Sequence, residues 1–370
     1  MSDMNFVLSK FKITLIVIVV KNCYYVGMKK IVINPFLYLC IVILTLTLCG
    51  CQSTTHKASP FSPESDQYIT ASTSIVDTDI DVPIYNPYDS LSVPTDIRKL
   101  GDYYFIVDCY HNQVIYHDNL EDPLTSWNVM TSDINMGHTI ASDGMVYLID
   151  DTENNRILIM EKSSSADGQD IFLPTQEFLN IGVRPHYITY NDVTDTFYAW
   201  SSMTGEMYLF RRDTNSTQVY LTDVKSIPEL NGYYVRSFTI IDDNIYFVSG
   251  DGTIKVANLE DFSVKKTYPV PTSMYGMVQL TKIEDYYYIT ISTDNYGSQD
   301  AATIIRTSSL SKLINGDFED IYSNFVGGGT PYCITSIDDT FYLCEHRLPA
   351  HSIWSFKVNN NTLTDITTIY

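Results

Sequence analysis

Ile241-Asp242-Asp243-Asn244-Ile245-Tyr246 joins an aliphatic residue, an acidic tight turn and an aromatic run, and the chain repeats the pattern. The same unit reads Leu100-Gly101-Asp102-Tyr103-Tyr104, then Ile283-Glu284-Asp285-Tyr286-Tyr287, then Ile337-Asp338-Asp339-Thr340-Phe341-Tyr342. Two weaker copies fill the gaps: Asp143-Gly144 precedes Met145-Val146-Tyr147, and Asp195-Thr196-Phe197-Tyr198 nearly duplicates Asp339-Thr340-Phe341-Tyr342. Asp and Gly tolerate the positive φ that a tight hairpin demands, and the aromatic run after them favours a strand. The copies recur at a period of roughly 40 to 55 residues from about residue 94, which marks a repeat architecture. Third and fourth strands follow in most units, as in Thr253-Ile254-Lys255-Val256 with Val264-Lys265-Lys266-Thr267-Tyr268. Six hairpins of this kind, each extended to four strands, predict an all-β, six-bladed β-propeller over residues 94–370. A β-sandwich with extra hairpins is the competing fold, but it would not repeat one unit around the whole chain. The segment Tyr68 to Val76 is a further strand candidate, expected to pair with the last blade and close the ring.

After the second strand, two units share Asp108-Cys109-Tyr110-His111-Asn112-Gln113-Val114 and Asp151-Thr152-Glu153-Asn154-Asn155-Arg156-Ile157. The latter resembles the Asp-Thr-x-Asn-x-Arg-Ile signature of NHL-repeat propellers, which implies that Asp and Asn side chains hold the turn and Arg-Ile opens the third strand. The phrase Arg184-Pro185-His186-Tyr187-Ile188-Thr189 resembles a blade start of streptogramin (virginiamycin B) lyase-like propellers, as does Thr330-Pro331-Tyr332-Cys333-Ile334-Thr335. That resemblance implies a lyase site with a histidine beside a divalent metal held by acidic residues. His186 matches it well and His138 in part. Met136 and Arg184 stand two residues before these histidines, where the lyase pattern has a Glu metal ligand, and the family's Trp-Phe-Thr strand is absent.

Aligning the first strands on Ile97, Ile140, Ile188, Phe238 and Ile334 puts Thr95, His138, His186, Arg236 and Tyr332 at one level, two residues earlier; blade five offers either Gly276 or Val278. These residues are expected at the mouth of the central channel. His111, Glu345, His346 and Arg347 lie just past second strands and border a rim whose face the sequence does not fix. His138 and His186 read either as histidines that hydrogen-bond neighbouring blades and loops or as metal ligands or general bases, and two histidines alone are an incomplete zinc set. Arg236 suits a carboxylate or a neighbouring Asp. Cys333 and Cys344 are symmetric about the Asp338-Asp339 turn, placed for a disulfide or for two facing thiols. Asp77-Thr78-Asp79-Ile80-Asp81 imitates a calcium loop, yet Val82 and Tyr88 occupy the positions of its Gly and Glu. Gly327-Gly328-Gly329 lacks the Lys and Ser or Thr of a phosphate loop.

The 370 residues carry 23 Lys plus Arg against 44 Asp plus Glu, a net charge of −21, which disfavours nucleic acid as a partner. The basic residues are unevenly spread: Lys10, Lys12, Lys21, Lys29 and Lys30 face only Asp3 before residue 51. An apolar run from Pro35 to Leu48 follows Met28-Lys29-Lys30, a second start, and ends at Leu48-Cys49-Gly50-Cys51, which resembles a bacterial lipoprotein's lipobox. The expected organisation is a leader over 1–50, a lipidated Cys51 with a flexible tether to residue 66, a strand and linker over 67–93, and the propeller. Localisation is then the extracytoplasmic face of a bacterial membrane, held by acyl chains. The leading functional expectation is a propeller that binds an extracellular ligand or protein partner without chemistry of its own and with no certain cofactor. The alternatives are a metal-assisted lyase or hydrolase using His138 and His186, and an envelope assembly subunit docking through acidic, Tyr-rich flanks.

Overall fold

The computed structural model describes residues 57–63, 68–71, 82–294, 296–325, 329–346 and 351–370. The leader, Met28, Cys51, the Asp77 to Asp81 stretch, Gly327, Gly328 and Arg347 lie outside the described residues.

Every predicted hairpin forms. Leu100 pairs with Tyr103, Ile241 with Asn244, Ile283 with Tyr286 and Ile337 with Thr340, leaving two-residue turns. The first turn residue takes the left-handed conformation each time: Gly101 at φ 63°, Asp242 at 51°, Glu284 at 49° and Asp338 at 53°. Around these hairpins the chain builds six antiparallel sheets in sequence order, and they are the blades of a six-bladed β-propeller. First strands run Pro94–Leu100, Ile140–Ser142, Pro185–Asn191, Val235–Ile241, Met277–Ile283 and Thr330–Ile337. Four sheets have four strands; blades one and three each gain a fifth at the outer edge, Ile84–Tyr85 and Ile69–Thr70.

The core is divided among the joints between blades rather than held in one centre. Six apolar clusters occupy the six joints, including Phe105, Tyr147 and Phe172 between blades one and two, Trp200 and Phe247 between three and four, and Ile97 and Ile106 with Cys344 and Ile353 between six and one. Removing each such large side chain from water contributes about 1.5–3 kcal/mol. Polar bonds near the channel join the blades as well. Thr139 Oγ1 accepts the Ile188 N–H at 2.7 Å and Gln279 Oε1 accepts the Ile334 N–H at 2.6 Å. Ser237 donates to Val278 O at 2.6 Å, and Trp200 Nε1 donates to Val235 O at 3.1 Å.

Two expectations for the segment before the blades are corrected. Ile69 and Thr70 pair with Leu221 and Tyr220 on blade three, not with the last blade. The ring closes instead where Thr335 donates to Asp96 Oδ1 at 3.3 Å, and where Tyr370 places its hydroxyl 2.6 Å from Leu120 O and accepts from Trp127 Nε1 at 3.1 Å. Residues 57–63, expected in the free tether, pack on blade three: Ala58 N–H donates to Val193 O at 2.7 Å, and buried Phe61 lies under the Arg211 guanidinium at 4.9 Å. One aromatic anchor offsets the ordering entropy that a Ser- and Pro-rich stretch otherwise keeps.

Candidate functional site at the channel mouth

The start of every first strand and the end of every second strand meet at one end of the ring, so the register assigns His111 and His346 to the same end as His138 and His186. At this end a β-bulge interrupts the ladder between first and second strands. In blade one the register jumps from Pro94 to Asp96, in blade three from Pro185 to Tyr187, in blade five from Met277 to Gln279 and in blade six from Pro331 to Cys333. The skipped residues are Thr95, His186, Val278 and Tyr332; in blade four the gap spans Arg236. Bulges re-aim side chains, and in blades one, three, five and six they turn one residue out of the pleat, while His138 of blade two stands just before its first strand. Leu280 pairs with Ile289 as Ile97 pairs with Ile106, which settles blade five on Val278.

These residues plug the mouth rather than line an open hole. The His138 and His186 rings stack with centroids 3.7 Å apart and planes 22° from parallel. Tyr332 reaches from the opposite side of the ring, its hydroxyl 3.3 Å from His186 Nε2, and the Tyr234 hydroxyl approaches the same nitrogen at 3.0 Å. The two histidines are only 6% and 2% exposed. Burial, reinforced by His138, Arg236 and Arg184, holds the His186 imidazole well below its ordinary range, so it is neutral. Burial likewise keeps the Tyr332 hydroxyl protonated. Arg236 donates to Ser292 Oγ at 2.8 Å and lies over the Tyr234 ring at 5.0 Å.

The repeat signature now has a physical role. Asp108 Oδ1 accepts the Ser92 and Val93 N–H groups, and Asp151 Oδ1 accepts that of Asn135, so each carboxylate holds the loop entering its own blade. Asn112 Oδ1 accepts the Met136 N–H at 2.9 Å, and Asn155 Oδ1 accepts that of Arg184 at 2.8 Å, so each amide holds the mouth of the next blade. Met136 and Arg184 are left at φ 58° and 59°, a region that favours glycine. Arg156 does more than open a strand: it binds Asp151 at 2.7 Å and Glu177 at 3.0 Å.

The remaining candidates separate. His111 bonds Asp108 Oδ2 at 2.6 Å and stacks on Tyr88 at 3.6 Å. Glu345 is fully buried and accepts from Tyr322 at 2.6 Å and Trp354 Nε1 at 2.8 Å, in the place that Asp108 holds in blade one. Burial raises its carboxyl above the ordinary range. His346 closes its strand opposite Thr330. Cys333 and Cys344 are directly paired, buried free thiols, with no disulfide between them.

Sequence reasoning passed over Cys109. Its Sγ lies 3.8 Å from His138 Nε2 and 4.0 Å from Met136 Sδ. His138 Nδ1 is 2.8 Å from Thr152 Oγ1, which in turn bonds Asp150 Oδ2 at 2.9 Å. This resembles a nucleophile, base and orienter in series. Burial, with Asp150 and Asp108, nevertheless pushes the Cys109 thiol up, the reverse of what a thiolate nucleophile needs.

The divalent metal implied by the lyase resemblance does not fit. The lone pairs of two stacked imidazoles lie in nearly parallel planes and do not converge, and the Arg184 guanidinium is bound to Glu153 at 2.8 Å. Among the described residues no three His, Cys, Asp or Glu side chains gather to hold a metal ion. A cavity of about 340 Å3 lies elsewhere, at the outer edges of blades one and two, lined by Ile84, Tyr116, Met130, Met160 and Phe172.

No protein family's sequence profile matches the chain, and no curated protein does. Among solved structures, a candidate 6-phosphogluconolactonase from Bacteroides fragilis is 13% identical, with a TM-score of 0.52 over 74% of this chain and 84% of that one. A second, from Bacteroides uniformis, is 11% identical, with a TM-score of 0.50 over 72% and 82%. A streptogramin B lyase is 14% identical, with a TM-score of 0.49 over 76% and 85%. The likeness is one of fold: these are propellers, and so is this chain.

Proposed function

We infer that the chain is a lipid-anchored extracytoplasmic protein whose propeller binds an extracellular partner through the mouth-end face, without chemistry of its own. The observation that carries this reading is the plug. His186 is buried with two tyrosine hydroxyls at its Nε2, and burial depresses its basicity, which suits a support better than a base. Around it the mouth-end loops expose Tyr110, Val183, Tyr233 and Tyr296. Amphipathic rings of this kind are enriched where proteins meet partners. Arg236 lies beside them over the Tyr234 ring, a cation on an acidic chain, and it favours a partner that presents carboxylates beside apolar surface. The stretch Leu48-Cys49-Gly50-Cys51, which resembles a lipobox, supports the anchor.

Two arms test the reading. Radiolabelled palmitate should enter the intact protein and not Cys51→Ser; equal labelling overturns the anchor. Surface extracts of the producing cell should bind the protein, and Tyr233→Ala with Arg236→Ala should abolish that binding while Met145→Ala at the opposite end leaves it. Equal binding by both variants overturns the face.

A further inference from the structure

The metal expected at the mouth fails because its ligands are the wrong kind, and the residues found there are of another kind. Met136 stands where a hard metal would want a carboxylate, and Cys109 sits beside it on the neighbouring blade. We propose that Cys109 Sγ, Met136 Sδ and His138 Nε2 form a three-coordinate site for a soft monovalent cation, copper(I).

The two separations from Cys109 carry the proposal. Metal to sulfur and metal to nitrogen bonds of about 2.3 and 2.0 Å, as in zinc sites, set at 120° put two sulfurs about 4.0 Å apart and sulfur and nitrogen about 3.7 Å apart. The observed separations are 4.0 Å from Cys109 to Met136 and 3.8 Å from Cys109 to His138. Tetrahedral angles would bring both pairs closer by about 0.2 Å. Thiolate, thioether and imidazole are the set that selects copper(I) over magnesium, calcium or manganese.

The surroundings orient each donor. The Thr152 hydroxyl hydrogen goes to Asp150 Oδ2 or Pro185 O, so its oxygen accepts from His138 Nδ1–H, which leaves the Nε2 lone pair facing Cys109. A ligating histidine fixed through its other nitrogen is the usual arrangement around a bound metal. Met136 is held by Asn112 in a conformation that a side chain of its size rarely adopts. Cys109 is fully buried, which shields a copper thiolate from oxidants. On binding, the Cys109 S–H bond breaks and its proton leaves to solvent, the Sγ lone pair forms the bond to copper(I), and the metal keeps its oxidation state. The cation and the thiolate then cancel, so no net charge is buried.

The test uses the full chain in detergent, reduced and under anaerobic conditions, with copper(I) supplied from a chromogenic chelator. The protein should withdraw one equivalent that Cys109→Ser cannot and that Cys333→Ser and Cys344→Ser still can. X-ray absorption at copper should show two sulfurs and one nitrogen, falling to one sulfur and one nitrogen in Met136→Leu, an isosteric change that keeps the fold if Cys109→Ser does not. Equal copper uptake by the intact protein and Cys109→Ser, an unchanged sulfur count in Met136→Leu, or preferential binding of zinc(II) overturns the proposal. The readout is the metal, so the result is independent of partner binding at the face above.

Discussion

Replacing Arg156 with Met should test how much of the second blade rests on its ionic cluster. The guanidinium meets three carboxylates, and they are not equivalent. Asp133, at 3.2 Å, is 78% exposed and stays solvated once released, so its share is small. Asp151 is fully buried and Glu177 mostly so, and both lose their cationic partner when Arg156 goes. Breaking a buried pair by removing one partner costs about 3–5 kcal/mol. The Asp151 carboxylate would retain two bonds from Asn154, at 3.0 and 2.9 Å, and one from the Asn135 N–H at 2.7 Å, which points to the lower end, about 3 kcal/mol. Met fills most of the vacated stem volume, so a cavity adds little. At about 2 °C per kcal/mol for a chain of this size, the melting temperature should fall by about 6 °C. Calorimetry of Arg156→Met, with Arg156→Lys as the variant that keeps the charge but loses the planar fork, is the assay. A shift under 2 °C in the Met variant would mean that water already screens the cluster and that the reasoning from burial is wrong.

Other outcomes follow from the same structure. The Glu345 carboxyl is raised above its ordinary 4.5 by burial, so the folded state holds its proton more tightly than the unfolded one. That contribution to stability is present in full below 4.5 and is lost as pH rises through the folded value. Denaturant titrations from pH 4 to 7 should therefore show Glu345→Gln gaining on the parent protein as pH rises; parallel curves would refute it. Gly205 sits at φ 67°, and a Cβ there would meet Ile227 O and Asn231 N, both backbone atoms, at 2.8 Å. Gly205→Ala should cost about 1–3 kcal/mol by denaturant midpoint, and a neutral result would exclude this loop conformation.

The blades were legible in the sequence because turn chemistry is local: Asp242 and Asp338 announce their hairpins with no help from distant residues. The level of the mouth was legible for a related reason, since each bulge sits at a fixed distance before Ile97, Ile188 and Ile334 and carries His186 and Tyr332 to the same height. What those residues do there was not legible. That Tyr332 meets His186 follows from ring closure across 146 residues, and no periodicity records it. Cys109 and Met136 meet through the Asn112 side chain, which ties a loop of blade one to the entrance of blade two. Composition misled only once on structure that is described: Ser, Thr and Pro around Phe61 signal solvated chain, and a single buried ring outweighs them.

The four principal strands of each blade are consecutive, and only the short outer strand Ile69–Thr70 of blade three comes from elsewhere in the chain, so no strand is shared between the first blade and the last. The first joint brings together residues 44 apart and the second residues 49 apart, but the joint of Thr335 with Asp96 spans 239. Loop-closure entropy makes that joint dearer by about 1.4 kcal/mol before any contact rewards it. A growing chain can therefore stack its blades in order of synthesis and still be an open arc. The apolar faces of Ile97 and Ile353 would be exposed at its two tips until the closing contact forms. The vulnerable species for this protein is that arc, in which the free face of one molecule's first blade can receive the last blade of another.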